Sequence, residues 1–301
     1  MKTMNKNTTM RNDSRNRESL TVRRFAELRQ SSQRENTRGV TRALLHNLYI
    51  YTDHDIQIQE VTEPFVRKFT NHLLMRIRPG SVRTYIQKFH SIMEEVVREG
   101  YLPNNPVPVA VSLIPRYESD QRSFLTVDEL NTLSSTNCKN EEVKRAFLFA
   151  CFTGLRLSDI ETLRWDNLHV VGGTQTIVKT QVKTGHEIRI PLNRDALSVL
   201  GKRNQGELTD KVFVLPSRTY ISQILNRWAL VSGIGKHITF HTSRHTFATL
   251  AITAGVEIYT VSKLCGHRSV RTTEIYTHII DTTLREGVDK ISKLLSHNDF
   301  S

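Results

Sequence analysis

The 301-residue sequence predicts a mainly α-helical protein with one small antiparallel β-sheet, an α+β arrangement in two domains. Three observations carry this expectation. Apolar residues recur at three- and four-residue spacing through most of the chain, as amphipathic helices require. Between Leu168 and Leu192 that period gives way to β-branched runs separated by glycine turns. Between Asn104 and Arg122 no period is sustained, in a stretch that holds Pro106, Pro108 and Pro115.

The elements follow in order. Met1 to Arg17 is polar and reads as a flexible tail. Helical spacing begins at about Val40, with Leu44, Leu45 and Leu48. Thr62 is placed to cap a helix whose inward face is Phe65, Val66, Phe69 and Leu73. Ser81 opens another, with Val82, Tyr85, Ile86, Phe89, Met93, Val96 and Val97 on one stripe and Gly100 at its end. Basic residues on the outer faces (Arg67, Lys68, Arg76, Arg78, Arg83, Lys88) read as solvated charge or as a surface for a polyanion. After the proline stretch, Thr126-Val127-Asp128-Glu129 is a capping box. An apolar helix from Glu141 to Phe152 stops at Gly154, and a short helix spans Asp159 to Arg164. The strand segments are Thr176–Val178, Thr180–Val182 and Glu187–Ile190, with turns at Gly172-Gly173 and Thr184-Gly185-His186. Helical patterns resume at Tyr220–Val231, Ser243–Thr253, Glu257–Leu264 and Asp281–Leu295. The domain limits are a basic tail at 1–20, a helical domain at 21–107, a linker at 108–122 and a second domain at 123–301.

Composition narrows the function classes. The formal charge is +12, and the first 42 residues hold eleven Lys or Arg against four Asp or Glu, a net of +7. Such a balance points to a polyanionic partner, either nucleic acid or an anionic membrane surface. The longest apolar stretch, Ala146 to Phe152, falls far short of a membrane span, and the first residues carry no apolar signal core. Cys138, Cys151 and Cys265 are too few and too scattered for a disulfide framework or a zinc cluster, so a reducing, cytoplasmic compartment is expected.

Five short motifs in the second half supply groups suited to one phosphate. They are Thr153-Gly154-Leu155-Arg156-Leu157-Ser158-Asp159, Val182-Lys183-Thr184-Gly185, His241-Thr242-Ser243-Arg244, Cys265-Gly266-His267 and Ile275-Tyr276-Thr277-His278. Attack on a phosphodiester builds negative charge on its non-bridging oxygens. Guanidinium groups are planar, permanently charged and able to donate paired hydrogen bonds to them. Arg156 follows a helix-ending glycine, and Asp159 is spaced to buttress it. Lys183 sits on a hairpin tip, where an ammonium can protonate a departing oxygen; Lys179 is a nearby competitor. His241 and Arg244 share one face near a helix N-terminus, with Thr242 as its cap and His245 pointing elsewhere. The Tyr276 hydroxyl is a weak nucleophile unless a base or nearby cations help it. Each residue alone reads as an ordinary surface or core side chain. Their order and spacing together carry the chemistry.

Arg156, Lys183, His241, Arg244, His267 and Tyr276, in that order, resemble the catalytic set of the tyrosine recombinases, the phage integrase and Xer family. The motifs match its first arginine box, its β-hairpin lysine segment through Ile188-Arg189-Ile190-Pro191-Leu192, its second box His241 to Ala248 and its third box from Gly266-His267 to Tyr276. The basic start and Asn104-Asn105-Pro106 look most like integrase-type recombinases of the Bacteroidetes group. Two departures are small: Cys265 precedes Gly266-His267 where leucine is common, and Ser243 precedes Arg244 where leucine is frequent.

The resemblance implies a helical core-binding (SAM-like) DNA-binding domain and a catalytic domain clamped around double-stranded DNA. It implies a 3′-phosphotyrosine intermediate on Tyr276, with Arg156, Arg244 and His267 stabilising charge, Lys183 as proton donor, His241 accepting the tyrosine proton and Asp159 in support. No metal or cofactor is implied. A homotetramer on two DNA sites is, with the stripe Val288, Ile291, Leu294 and Leu295 docking on a neighbouring protomer or, alternatively, packing on its own. The placement implied is cytoplasmic, nucleoid-associated, without membrane attachment, in service of a mobile element. Two alternatives stay open: a type IB topoisomerase-like nicking and rejoining enzyme, and a non-enzymatic DNA-binding regulator on the same scaffold.

Overall fold

A computed structural model describes residues 20–29, 35–108, 114, 123–203, 206–267 and 269–273 of the chain. The polar tail, Tyr276 and the helical pattern at 281–295 lie outside the described residues. The chain divides into two compact units, Met1–Asp120 and Gln121–Ser301. No helix among the described residues is long and apolar enough to cross a membrane.

The first unit is helical: α1 (Val22–Glu27), α2 (Glu35–Thr52), α3 (Glu63–Leu74) and α4 (Pro79–Arg98). Helical structure therefore starts well before Val40. Thr21 caps α1 by accepting the Arg24 amide at 3.1 Å, and Val22, Phe25 and Ala26 are buried. Part of the basic segment is neutralised within the unit: Arg23 pairs with Asp55 at 2.5 Å, and Arg29 with Glu95 and Glu99. Thr62 caps α3 as expected, accepting the Phe65 amide at 3.4 Å. Val66, Phe69 and Leu73 face the core, with Phe65 half-buried beside them.

Helix α4 starts at Pro79, two residues before the expected Ser81. Proline suits a first helical position because its missing N–H has no intrahelical partner there. Of the predicted stripe, Val82, Ile86, Phe89, Met93 and Val96 are buried and Tyr85 and Val97 half-buried, and Ile92, outside the predicted stripe, is buried with them. The stretch after α4 is less loose than its prolines imply. Asn105 Nδ2 donates to the His90 carbonyl at 3.1 Å and to Glu94 at 2.7 Å. His90 Nδ1 bonds the Val107 carbonyl at 2.6 Å, and Val107 and Ile114 are buried in the first core. Side-chain to main-chain bonds hold this segment, so no hydrophobic period announces it.

The second unit is built around α6 (Glu141–Thr153), which is apolar on nearly every face and buried from Ala146 to Cys151. Among the described residues it also holds helices α5 (Val127–Ser135), α7 (Leu157–Ile160), α8 (Arg194–Leu200), α9 (Arg218–Val231), α10 (Phe240–Thr253) and α11 (Ile258–Cys265) and three strands. The α5 capping box forms as read: Thr126 accepts the Glu129 amide at 3.2 Å and Glu129 the Thr126 amide at 2.8 Å. Helices α8, α9 and α10 pack on α6.

Strands β1 (Leu168–Val171), β2 (Thr174–Thr180) and β3 (Glu187–Pro191) form an antiparallel sheet in that order, with Leu168 opposite Ile177 and Ile177 opposite Ile190. Ile177, Ile188 and Ile190 face the core. The mainly helical fold with one small antiparallel sheet is as the sequence predicts.

Three local expectations are corrected. The short helix expected over Asp159–Arg164 is α7, which starts at Leu157 because Arg156 is already its extended N-cap residue. The run Thr180-Gln181-Val182 is not a strand of its own: β2 ends at Thr180, and Gln181 and Val182 turn inside the β2–β3 hairpin. Helix α10 begins at Phe240, earlier than Ser243, and its cap position is Thr239. Thr242, expected as the cap, closes a capping box from inside the first turn by accepting the Thr239 amide at 3.0 Å.

Candidate active site

Two arginines converge on consecutive carbonyls. Arg244, on the first turns of α10 and buried, donates Nη1 to the Gly154 carbonyl and Nη2 to the Cys265 carbonyl, each at 2.5 Å. Arg156 donates Nη2 to the neighbouring Gly266 carbonyl at 3.4 Å. The backbone at the end of α11 thus orients both guanidinium groups. A guanidinium carries five N–H donors, so the two bonds of Arg244 leave three for an anion.

The glycines make this approach possible. Gly154 ends α6 at φ 68°, and a Cβ there would lie 2.6 Å from the Phe247 ring. Gly266 ends α11 at φ 60°, where L side chains are strained. Burial, then repulsion from Arg244, pushes the Arg156 guanidinium below its ordinary pKa, and Asp159 pulls it back up. Two close, partly desolvated cations favour an anion between or beside them.

Asp159 is fully buried in α7. Its Oδ2 lies 3.9 Å from Arg156 Nη1, and its Oδ1 accepts the Val182 amide at 2.8 Å. It therefore ties the arginine to the base of the hairpin that carries Lys183. Lys183 itself is exposed on that turn. Its competitor Lys179 is engaged elsewhere, donating Nζ to the Thr162 carbonyl at 3.0 Å, and burial pushes its ammonium pKa down.

His241 and Arg244 share the first turns of α10, three residues apart, with His241 exposed. The adjacent His245 is buried and packs edge-on against His241, ring centroids 4.5 Å apart, so the two histidines are in contact. His267 follows Gly266 directly, and its Nδ1 is 2.8 Å from Thr273 Oγ1. Arg156, Asp159, Arg244 and His267 are thus gathered at the α11 terminus, and the Lys183 hairpin is anchored to them. Tyr276 lies outside the described residues, three positions beyond Thr273.

The two departures from the family pattern are absorbed locally. Ser243 Oγ bonds the Phe240 carbonyl at 2.7 Å inside the first turn of α10. The Cys265 thiol packs beside Ala248, Ile252 and Val261, and burial raises its pKa.

Two residues of the site went unread in the sequence. Thr273 is fully buried and holds the His267 ring. Gln181 is buried at the hairpin base, with Nε2 3.3 Å from the Cys265 carbonyl and Oε1 accepting Thr184 Oγ1 at 2.8 Å. A threonine among threonines and a glutamine in a strand-like run carry no local signal. Only the position of Thr273, between His267 and Tyr276, hints at a role.

Comparison with known proteins places these motifs in context. The model of the phage integrase family matches residues 123–282, and that of the phage integrase SAM-like domain matches residues 21–114. The tyrosine recombinase XerD of Listeria monocytogenes is 29% identical over 228 residues, covering 69% of this chain and 74% of the relative. The tyrosine recombinase XerC of Pelobacter propionicus is 27% identical over 245 residues, covering 77% of this chain and 80% of the relative. Among solved structures, a lambda integrase dimer bound to a core site is similar in fold, with a TM-score of 0.67 at 20% identity, covering 84% of this chain and 92% of that one. The Tn1549 transposon integrase in complex with transposon right-end DNA has a TM-score of 0.70 at 14% identity, covering 91% of this chain and all of that one.

Proposed function

The chain belongs to the phage integrase family and is a tyrosine-type site-specific DNA recombinase, and we propose that Arg156, Lys183, His241, Arg244, His267 and Tyr276 carry its chemistry, with Asp159 in support. The observation that supports this assignment most is the convergence of Arg156 and Arg244 on the Gly266 and Cys265 carbonyls, one residue from His267.

In this reading the scissile phosphate of double-stranded DNA takes the donors that the two arginines do not spend on carbonyls. Tyr276 Oη attacks phosphorus in line with the 5′ oxygen. A phosphorus–oxygen bond to the tyrosine forms, the bond to the 5′ oxygen breaks, and the DNA 3′ end is left on the protein. His241 accepts the phenol proton, and the departing 5′ oxygen takes a proton from Lys183. Arg156, Arg244 and His267 donate to the charged equatorial oxygens, where fixed donors in a partly desolvated site are most effective. The phosphodiester energy is conserved in the covalent link, so a 5′ hydroxyl from a second strand reverses the step. Four protomers on two sites exchange strands in this way, in the cytoplasm, on nucleoid DNA that carries or receives a mobile element.

Covalent capture tests the proposal. The protein is incubated with fragmented genomic DNA of its host, stopped with detergent, and the protein-linked strands are sequenced. The reading expects one enriched sequence attached through its 3′ end, and no linked DNA with Tyr276→Phe, which should still bind. Linked DNA without any enriched sequence, together with relaxation of supercoiled plasmid, would support the nicking and rejoining alternative. Unchanged biological activity of Tyr276→Phe would support the regulator.

A further inference from the structure

We propose that Gln181 is a positioning residue that locks the Lys183 hairpin onto the phosphate-holding backbone; the inference rests on the proton-donor role given to Lys183. Gln181 is only 1% exposed although it sits in a hairpin turn, two residues before an exposed lysine. Its main chain closes the turn: its N–H donates to the His186 carbonyl at 2.9 Å, and its carbonyl accepts from Gly185 at 2.9 Å. Its side chain then reaches out of the hairpin to α11. Nε2 donates to the Cys265 carbonyl, the same oxygen that accepts Arg244 Nη2, while Oε1 accepts the Thr184 hydroxyl.

The carboxamide lies flat against the next residue as well. A Cβ on Gly266 would come within 2.5 Å of Gln181 Nε2 and 2.6 Å of Oε1. A single amide therefore touches the turn residue after Lys183, the carbonyl that orients Arg244, and the glycine before His267. Both ends of the amide are used, one as donor and one as acceptor, which no apolar or singly functional side chain of that size reproduces. The Val182 amide is held by Asp159 at the same time, so the two residues preceding Lys183 are fixed to two different elements of the site. A long, flexible lysine gains from a rigid base, because proton transfer requires the ammonium within hydrogen-bond reach of the leaving oxygen.

The test separates a misplaced proton donor from a damaged site. Gln181→Met keeps length and packing but removes both hydrogen bonds. Covalent-complex formation is timed on a nicked duplex of the captured sequence, once with the natural 5′ oxygen at the scissile bond and once with sulfur in its place. Sulfur leaves as a thiolate and needs no proton. With oxygen, Gln181→Met should be slower than the unaltered protein by about 10- to 100-fold, at or below the low end of what losing a general acid outright costs, because the lysine is misplaced and not removed. With sulfur it should return to within about threefold, as Lys183→Ala also should, whereas Arg156→Ala stays slow with both.

A Gln181→Met protein that is fast with oxygen, or slow with both leaving atoms while Lys183→Ala is rescued, overturns the inference alone. A Lys183→Ala protein that sulfur does not rescue overturns the proton-donor role, and the inference with it. If Gln181→Met does not fold, Thr184→Val decides. It removes the hydroxyl donor to Gln181 together with a long 3.5 Å acceptor for the His186 amide, and a several-fold, sulfur-rescued slowing supports the lock, whereas an unaltered or unrescued rate overturns it.

Discussion

Arg156 Nη1 and Asp159 Oδ2 face each other at 3.9 Å, both buried, and among the described residues neither atom has a hydrogen-bond partner. The charge of Asp159 is the larger of two influences that oppose burial and the repulsion of Arg244 at Arg156, without cancelling them. Asp159→Asn keeps an oxygen for the Val182 amide but removes that charge. We expect covalent-complex formation to fall by at least about tenfold, as a charge-stabilising donor is displaced. Unfolding in urea should show a loss of about 2 kcal/mol, the scale of a buried charged group left uncompensated. Wild-type values on both measurements would remove Asp159 from the site.

Gly154 occupies φ 68° directly below Phe247, so alanine there meets two separate penalties. The left-handed backbone costs about 1 kcal/mol for a residue with a Cβ. The contact at 2.6 Å from the Phe247 ring adds a steric term. Only the second is relieved by trimming the ring. A double-mutant cycle of Gly154→Ala and Phe247→Ala should therefore show the pair less destabilising than the sum of its members by about 1 kcal/mol or more. Strict additivity in thermal or urea unfolding would show that the ring moves aside freely.

The proposed phosphate-handling residues Arg156, Lys183, His241, Arg244 and His267 were legible through their shared order and spacing, since each alone reads as an ordinary surface or core side chain. The backbone that aims them was not. Helix α10 was read from Ser243 because Thr242 looks like a cap, yet the same threonine closes the box from the third helical position, with Thr239 capping. Helix α8 went unread although Asn193 caps it by accepting the Ala196 amide at 2.8 Å; seven residues are too few to establish a period. Gln181 and Thr273 escaped because their partners are a carbonyl 84 residues away and a histidine ring across a turn. Contacts of that kind are set by tertiary approach, which local pattern does not encode.

Lys236 ties the start of the second unit to the segment before α10, donating Nζ to Glu129 at 2.6 Å and to the Phe124 carbonyl at 3.1 Å. Burial pushes the Glu129 carboxyl pKa up, but the Lys236 and Thr126 hydrogen bonds and the Lys236 charge outweigh it, and the net shift is downward. A carboxyl depressed on folding stabilises the folded state above its unfolded pKa and loses that contribution as pH falls through the folded one. The pair is partly exposed, so Lys236→Met should cost only about 0.5–1 kcal/mol near pH 7. The part due to the ion pair should vanish as the pH drops below the range of ordinary carboxylates. A difference in unfolding free energy that stays constant from pH 7 to pH 3 would assign the whole effect to the contacts of Lys236 with the Phe124 carbonyl and ring.

Thr273 Oγ1 lies 2.8 Å from His267 Nδ1 at a fully buried position, so the threonine contributes to how the ring is presented. The proton on one imidazole nitrogen is set by the bond that the other makes. If the hydroxyl donates to Nδ1, Nε2 carries the hydrogen and can donate to a phosphate oxygen, as the proposed chemistry needs. Thr273→Val removes that bond with almost no change of shape, and Thr273→Ser preserves it. Nitrogen NMR of labelled histidine should therefore report an Nε2–H tautomer in the unaltered and serine proteins and a shift toward Nδ1–H in the valine protein. Covalent-complex formation should fall about tenfold for valine alone, less than the loss expected for deleting a charge-stabilising donor outright. A valine protein that is slow with its tautomer unchanged would place the effect of Thr273 on the chain that leads to Tyr276 and not on His267.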